Sequence, residues 1–211
     1  MLQYKKLFMD YMDSQGVKYT DFNENVVKVV YNGKNLRAIP VFVIFDKNGE
    51  RDVELFSAPG RSEIAGNHTD HNHGLVLAAG ISLDAIAVAS KNDDGVIRIK
   101  SAGYPLDSVN CDELDVVDSE KGKSQAIVRG IAARFKQLGY NVGGFDATTA
   151  SQVLSGSGLS SSAAFEVLVC TMLNHLYNDG KVDMVEIAKI SQYSENVYFD
   201  KPCGLLDQLA C

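Results

Sequence analysis

Residues 160–180, SSSAAFEVLVCTMLNHLYNDG, are apolar around most of a helical circumference and stop at Gly180. A helix of this kind has no face to give to water, so other layers of the same domain have to enclose it. That requirement narrows the fold more than any other stretch. With 211 residues and 45% hydrophobic content the chain can supply such layers, in one domain or one and a half.

The layers are legible on the N-terminal side. Residues 1–14 have Leu2, Leu7, Phe8, Tyr11 and Met12 at near-helical spacing, with Gly16 just past the end, and predict a short amphipathic helix. RAIPVFVIFDKNGERDVELFSAPG, residues 37–60, gives two β-rich runs around Asp46-Lys47-Asn48-Gly49, where Asn-Gly is a hairpin signal. GISLDAIAVASKNDDGVIRIKS, residues 80–101, repeats the pattern of strand, Asp-Asp-Gly turn and strand. The pattern then changes. SQAIVRGIAARFKQLG carries a helical stripe of Ile127, Ile131, Ala132, Phe135 and Leu138 closed by Gly139, and FDATTASQVL reads as another strand. A further amphipathic helix starts at Asp183, in DMVEIAKISQYSENVYF. Strands first and helices afterwards predict an α+β fold, a mixed or antiparallel sheet with helices packed on one face.

Charge and cysteine usage exclude several roles. A net charge of -7 is wrong for a protein that binds nucleic-acid backbone, which needs clustered Lys and Arg to displace counterions. No apolar run is long enough to span a membrane, and MLQYKKLFMDYMDSQG lacks the apolar core and cleavage site of a secretory leader. Cys111, Cys170, Cys203 and Cys211 form no CxxC pair, which suits free thiols in a reducing compartment, so a cytoplasmic location is expected. The chain stops on CGLLDQLAC, an apolar ending that raises the expectation of a longer parent protein. Oligomeric state is not encoded in any of these patterns.

Two loops carry chemistry. SGSGLSSSAAFEV, residues 155–167, joins a strand to the buried helix through Gly156, Gly158 and three serines. Glycines let backbone N–H groups approach an anion, and the first helical turn leaves its N–H groups unpaired with a partial positive charge. The stretch therefore reads as a phosphate cradle; it lacks the lysine of a GxxxxGK[ST] loop. Its plainer reading is a serine N-cap on a buried helix, although three consecutive serines exceed what a cap requires. GRSEIAGNHTDHNHG, residues 60–74, gathers His68, His71 and His73 with Asp70, Asn67, Arg61 and Glu63. Three imidazoles at HxxHxH spacing could serve zinc, but no regular helix holds the rings on one face. Short carboxylates and amides such as Asp70, Asn67 and Asn72 suit paired hydrogen bonds to vicinal hydroxyls.

GLSSSAAFEV resembles the second motif of the GHMP kinases, which bind ATP on such a loop. GRSEIAGNHTDHNHGLVL resembles the galactokinase signature GRxNxIGEHTDYNxGxVLP, and ENVYFDKPCGLLDQLAC resembles the galactokinase segment ending in PCGxMDQ. The resemblance implies the N-terminal domain of a GHMP kinase, with the ribosomal protein S5 domain 2-like fold over residues 58–211 and an extension of helix and hairpin over 1–57. It implies ATP-dependent phosphorylation of the anomeric C1 hydroxyl of galactose, with ATP and Mg²⁺ as cofactors. By position it gives Asp207 the place of the catalytic carboxylate and Arg61 that of the arginine stabilising the transition state. Asn67, His68, Thr69 and Asp70 take the sugar contacts, with the backbone at Gly204. The ATP loop falls on Gly156, Ser157, Gly158, Leu159, Ser160, Ser161 and Ser162, and Ser101 lies where the family contacts nucleotide. Ser162 and Glu195 match the magnesium ligands. A cation beside Asp207 would keep it ionised, since opposite charges about 4 Å apart interact by roughly 4 kcal/mol at an effective dielectric of 20. The same contact lowers its basicity, which leaves early proton abstraction and late acceptance both open.

The chain departs from the family pattern where Asn67 replaces the usual Glu and Glu63 the usual Asn, as though acid and amide had changed places. An amide both donates and accepts, so a sugar contact at Asn67 changes polarity. His71 stands for the usual Tyr, Ala78 for Pro, and Ser157 for Gly or Ala. The family's third glycine-rich motif and C-terminal sugar-contacting tyrosine do not occur within these residues, so the chain by itself is expected to be inactive. A kinase for another sugar such as N-acetylgalactosamine, and a catalytically silent sugar and ATP sensor, remain as alternatives.

Overall fold

The computed structural model describes residues 3–14, 19–23, 26–31, 39–44 and 53–211. The chain divides into two compact units, Met1–Asp52 and Val53–Cys211. In the first, α1 (Gln3–Ser14) precedes an antiparallel meander of β1 (Tyr19–Asn23), β2 (Val26–Tyr31) and β3 (Ile39–Ile44). Tyr19 pairs with Val29, and Val27 with Val43. The second unit is built on a five-stranded sheet in the order β4-β5-β8-β6-β7: β4 (Glu54–Ala65), β5 (Leu77–Lys91), β6 (Val96–Ser101), β7 (Leu106–Asn110) and β8 (Phe145–Ser151).

Two expected hairpins are redirected. The runs on either side of Asn48-Gly49 form β3 and β4, but β3 pairs with β2 and β4 with β5; the turn itself lies outside the described residues. β5 and β6 flank the Asp-Asp-Gly turn without pairing, because β8 lies between them, antiparallel to β5 and parallel to β6. A boundary at residue 57 would cut β4, whose Phe56 and Ala58 already belong to the core of the second unit.

The sheet turns one face to the helices. Ala85, Ala87 and Ala89 of β5, Ile97 and Ile99 of β6, and Phe145 and Ala147 of β8 are buried against α2 (Ser124–Gln137) and α3 (Ser161–Asn178). Three alanines at alternate positions let α3 approach β5 closely, and α3 buries residues around most of its circumference, as its composition requires. In α2 the expected stripe is buried through Phe135, whereas Leu138 falls one residue past the helix and is exposed. α4 (Met184–Tyr193) begins at Asp183, whose carboxylate accepts from the N–H groups of Val185 and Glu186, an N-cap. It runs into a π-helical turn, Ser194–Tyr198, and the chain then forms the five-residue α5 (Leu206–Ala210). No helix among the described residues is long and apolar enough to cross a membrane.

Gly130 of α2 makes the packing against that π-helical turn possible. A Cβ there would lie 2.6 Å from Ser194 Oγ and 2.8 Å from the Tyr198 ring, and Ser194 is held by its hydrogen bond to Ile127 O at 2.7 Å. Gly130→Ala should therefore cost a net ~1–2 kcal/mol, overpacking outweighing the gain of about 1 kcal/mol in helix propensity, read as a lower urea midpoint.

Candidate functional site

The site begins where the register of β4 with β5 shifts: Pro59 pairs with Asp84 and Arg61 with Gly80, so the extra residues lie on β5, and β4 is an edge strand, which tolerates the proline. At Gly60 a Cβ would stand 2.9 Å from Leu159 O, and the Arg61 N–H donates to that carbonyl at 3.1 Å. The strand is thus stitched to the glycine-rich turn, and the Arg61 side chain is aimed into the interior, 5% exposed.

Arg61 meets Asp207 in a two-point fork: Nε donates to Oδ1 at 2.7 Å and Nη2 to Oδ2 at 2.8 Å, while Nη1 donates to Gly158 O at 2.8 Å. Ser160, the residue before α3, donates its hydroxyl to Asp207 Oδ2 at 2.5 Å. Burial raises the Asp207 carboxyl, but the hydrogen bonds from Arg61 and Ser160 and the Arg61 charge outweigh it and hold the pKa below the ordinary value of 3.8. Asp207 is ionised, hydrogen-bonded at both oxygens and weakly basic.

The turn before α3 has backbone of the kind glycine favours. Gly156 and Gly158 have φ of 77° and 75°, and Ser160 has φ of 57°. Ser157 donates to Leu154 O at 2.6 Å, closing the turn. Ser160 is positioned as the N-cap yet makes no side-chain cap bond, since its hydroxyl is spent on Asp207. Helix geometry leaves the N–H groups of Ser161, Ser162 and Ala163 without intrahelical acceptors, and the exposed Ser162 hydroxyl lies beside them. Ser101 ends β6, which is parallel to β8, so it stands at the same end of the sheet as the turn; its hydroxyl accepts from Thr149 at 2.8 Å.

The histidine loop divides its side chains. His68 Nδ1 is 3.8 Å from Asp207 Oδ1, and its Nε2 is 3.5 Å from Arg61 Nη2. Asp70 Oδ2 accepts from the Leu206 N–H at 2.9 Å, at the start of α5, and a Cβ at Gly204 would overlap the Asp70 carboxylate. Thr69 turns inward to Gly66 O at 2.8 Å, while Asn67 is exposed. His71 is 3.1 Å from the Asn72 amide, and among the described residues no three His, Cys, Asp or Glu side chains converge as a metal-binding group.

Glu195, 3% exposed, is not bonded to Ser162. Its Oε1 accepts from Lys201 Nζ at 2.8 Å and its Oε2 from Gln208 Nε2 at 3.0 Å. The same Gln208 amide donates to Glu166 Oε2 at 3.0 Å, joining two buried carboxylates beneath the α3 terminus. Glu166 is fully buried, and its Oε1 has no hydrogen-bond partner among the described residues. Burial first, and then the charge of Glu195, push its pKa up to about 8. Burial and Glu195 likewise raise the Cys203 thiol; all four cysteines are free. Sequence reasoning missed Glu166 and Gln208, yet a signal was there: one acid in an otherwise apolar helix must have a buried partner.

Residues 126–211 match the GHMP kinases N terminal domain, and residues 44–91 match the galactokinase galactose-binding signature. Sheet, turn and domain match together define a GHMP kinase N-terminal domain. Within that class the chain resembles the N-terminal portion of galactokinases. It is 35% identical to the galactokinase of Clostridium tetani and 38% identical to that of Streptomyces coelicolor, in each case over 77% of this chain. The solved structure of Lactococcus lactis galactokinase complexed with galactose superposes with a TM-score of 0.69 at 31% identity over 75% of this chain. The chain spans less than half the length of these relatives: 41% and 44% of the two sequences and 41% of the solved chain.

The raised Glu166 carboxyl gives a pH dependence with a definite sign. Between 4.5, its ordinary value, and about 8, the native state holds a proton the unfolded chain has lost, so this contribution to stability falls as pH rises through that window. Glu166→Gln, which imitates the neutral acid, should flatten the fall in urea midpoint across that range.

Proposed function

We propose that this chain is the N-terminal part of an ATP-dependent kinase that phosphorylates the C1 hydroxyl of galactose to give galactose 1-phosphate. The observation that carries the reading is the Asp207 carboxylate held between Arg61 and Ser160 at the start of α3, which brings a hydroxyl-orienting acid beside an anion-holding helix terminus.

The chemistry follows from that arrangement. The free N–H groups of the α3 terminus and the turn through Gly156, Ser157, Gly158 and Leu159 hold ATP phosphates, with Ser101 at the nucleotide end. Asn67, His68, Thr69 and Asp70, with the backbone at Gly204, hold the sugar. Asp207 accepts a hydrogen bond from the attacking hydroxyl and aligns it; its depressed basicity favours taking the proton late, after the oxygen–phosphorus bond has begun to form. Arg61 neutralises charge on the moving phosphoryl group. The donor set also fits Mg²⁺: Glu195 already carries a cation, the Lys201 ammonium, on Oε1, and the exposed Ser162 stands on the first turn of α3. Ser162 and Glu195 would hold the ion, which would supply charge neutralisation on the phosphates. A C-terminal domain beyond residue 211 closes the cleft, within the cytoplasm.

A second sugar is favoured by one observation. Asn67 is exposed and presents an amide at the loop tip, which suits an acetamido substituent such as that of N-acetylgalactosamine. A panel of galactose, N-acetylgalactosamine, arabinose and fucose on the full-length kinase separates the two. A silent sensor has less support, because sugar and ATP binding alone do not require Arg61, Asp207 and Ser160 to converge.

Asp207→Asn and Arg61→Ala in the full-length kinase should each lower kcat by about 10²–10³-fold. The isolated chain should show negligible turnover in a coupled ADP-release assay; galactose-dependent rates equal to those of the full-length enzyme would sink the two-domain reading.

A further inference from the structure

Glu63 belongs to none of the assignments above, yet its carboxylate has two contacts with one neighbour. Oε1 accepts from the main-chain N–H of His68 at 2.9 Å, and Oε2 lies 3.0 Å from His68 Nε2. The carboxylate therefore spans the backbone and the ring of the same residue, and its own side chain is only 18% exposed.

The backbone it holds is one that side chains disfavour. Gly66, Asn67 and His68 have φ of 116°, 50° and 53°, three consecutive residues on the left-handed side, of which two carry a Cβ. Thr69 closes the turn from the far side through Gly66 O. On the near side the Glu63 carboxylate takes the N–H that this doubling-back turns inward. The ring then lies over the Arg61–Asp207 pair, 3.5 Å from Arg61 Nη2 and 3.8 Å from Asp207 Oδ1. The charged groups facing it are Glu63 and Arg61 from β4 and Asp207 from α5.

We propose that Glu63 is a positioning residue for the acceptor side of the site: by clamping the backbone and ring of His68 it fixes the imidazole beside Asp207, and so sets where the sugar hydroxyl enters. This rests on the sugar-kinase reading for its substrate, and on geometry alone for the clamp. It also gives the acid at position 63 a task distinct from sugar contact: its charge is consumed within the loop.

The clamp is tested without sugar. In amide exchange of this chain by NMR, Glu63→Ala should speed exchange at the His68 N–H about tenfold or more, the loss of one charge-assisted hydrogen bond, while the amides of α3 keep their rates. Glu63→Gln, whose carbonyl oxygen still accepts, should retain most of the protection. If Glu63→Ala does not fold, Glu63→Asp takes its place: one methylene shorter, it cannot reach both contacts and should also expose the amide. Unchanged His68 exchange in Glu63→Ala, or in Glu63→Asp, overturns the clamp whatever the substrate is. In the full-length kinase, Glu63→Ala should raise the galactose KM about tenfold with the ATP KM unchanged, and Glu63→Gln should fall between it and the wild type. Galactose and ATP KM rising together, or neither moving, overturns the positioning role.

Discussion

Asp207 and Arg61 are 146 residues apart in sequence, and the two-point fork between them joins the edge of the sheet to the last helix of the chain. A partly buried ion pair of this kind is poor evidence for stability, because desolvation of both charges offsets much of their attraction. What it supplies is geometry. A planar guanidinium facing a planar carboxylate permits few orientations, and the third donor, aimed at Gly158 O, extends the constraint into the glycine-rich turn. Strand, turn and terminal helix thereby share one rigid reference.

α5 needs that reference. Five residues are too few for a helix to hold itself in water, so its direction is set by what it touches. Asp70 receives the Leu206 N–H at its start, Arg61 and Ser160 hold Asp207, and Gln208 donates to Glu166 and Glu195 on the opposite side. Successive residues of one short helix thus meet the sugar loop, the chemical pair and the buried carboxylates. A neutral Glu166 makes the last of these tolerable, since two ionised acids sharing one amide so far from water would repel.

Much of this was legible because it follows from local pattern. α3 announces itself by having no polar face, its N-terminal turn by the spacing of Gly156 and Gly158, and α4 by Asp183 ahead of an apolar stripe. Strand partners were not legible. Asn48-Gly49 is a sound turn signal, but a turn signal does not decide that the strands beside it pair, and here β3 and β4 belong to different sheets. Likewise nothing between Lys91 and Val96 reveals that β8, fifty residues on, will come between β5 and β6. At the site, motif position pointed to Arg61, Asp207 and Ser160 together. It did not reveal that Ser160 gives its hydroxyl to Asp207 rather than to its own helix, because a cap and a side-chain contact look alike in sequence. Glu63 was visible only as an exchange of acid and amide; the partner that explains it is a backbone N–H, which no residue name reports.

The insertion of β8 orders events during synthesis. β5 and β6 leave the ribosome joined by a tight turn, each with a ladder of backbone groups that the finished sheet commits to a strand not yet made. Pairing them with each other would be the quickest closure and the wrong one. The nascent chain must therefore postpone the centre of its sheet until residues 145–151 arrive, with α2 already available behind them to cover the apolar face. A molecule whose middle strand comes last leaves the inner edges of β5 and β6 unpaired longest, a vulnerability set by topology rather than by chemistry.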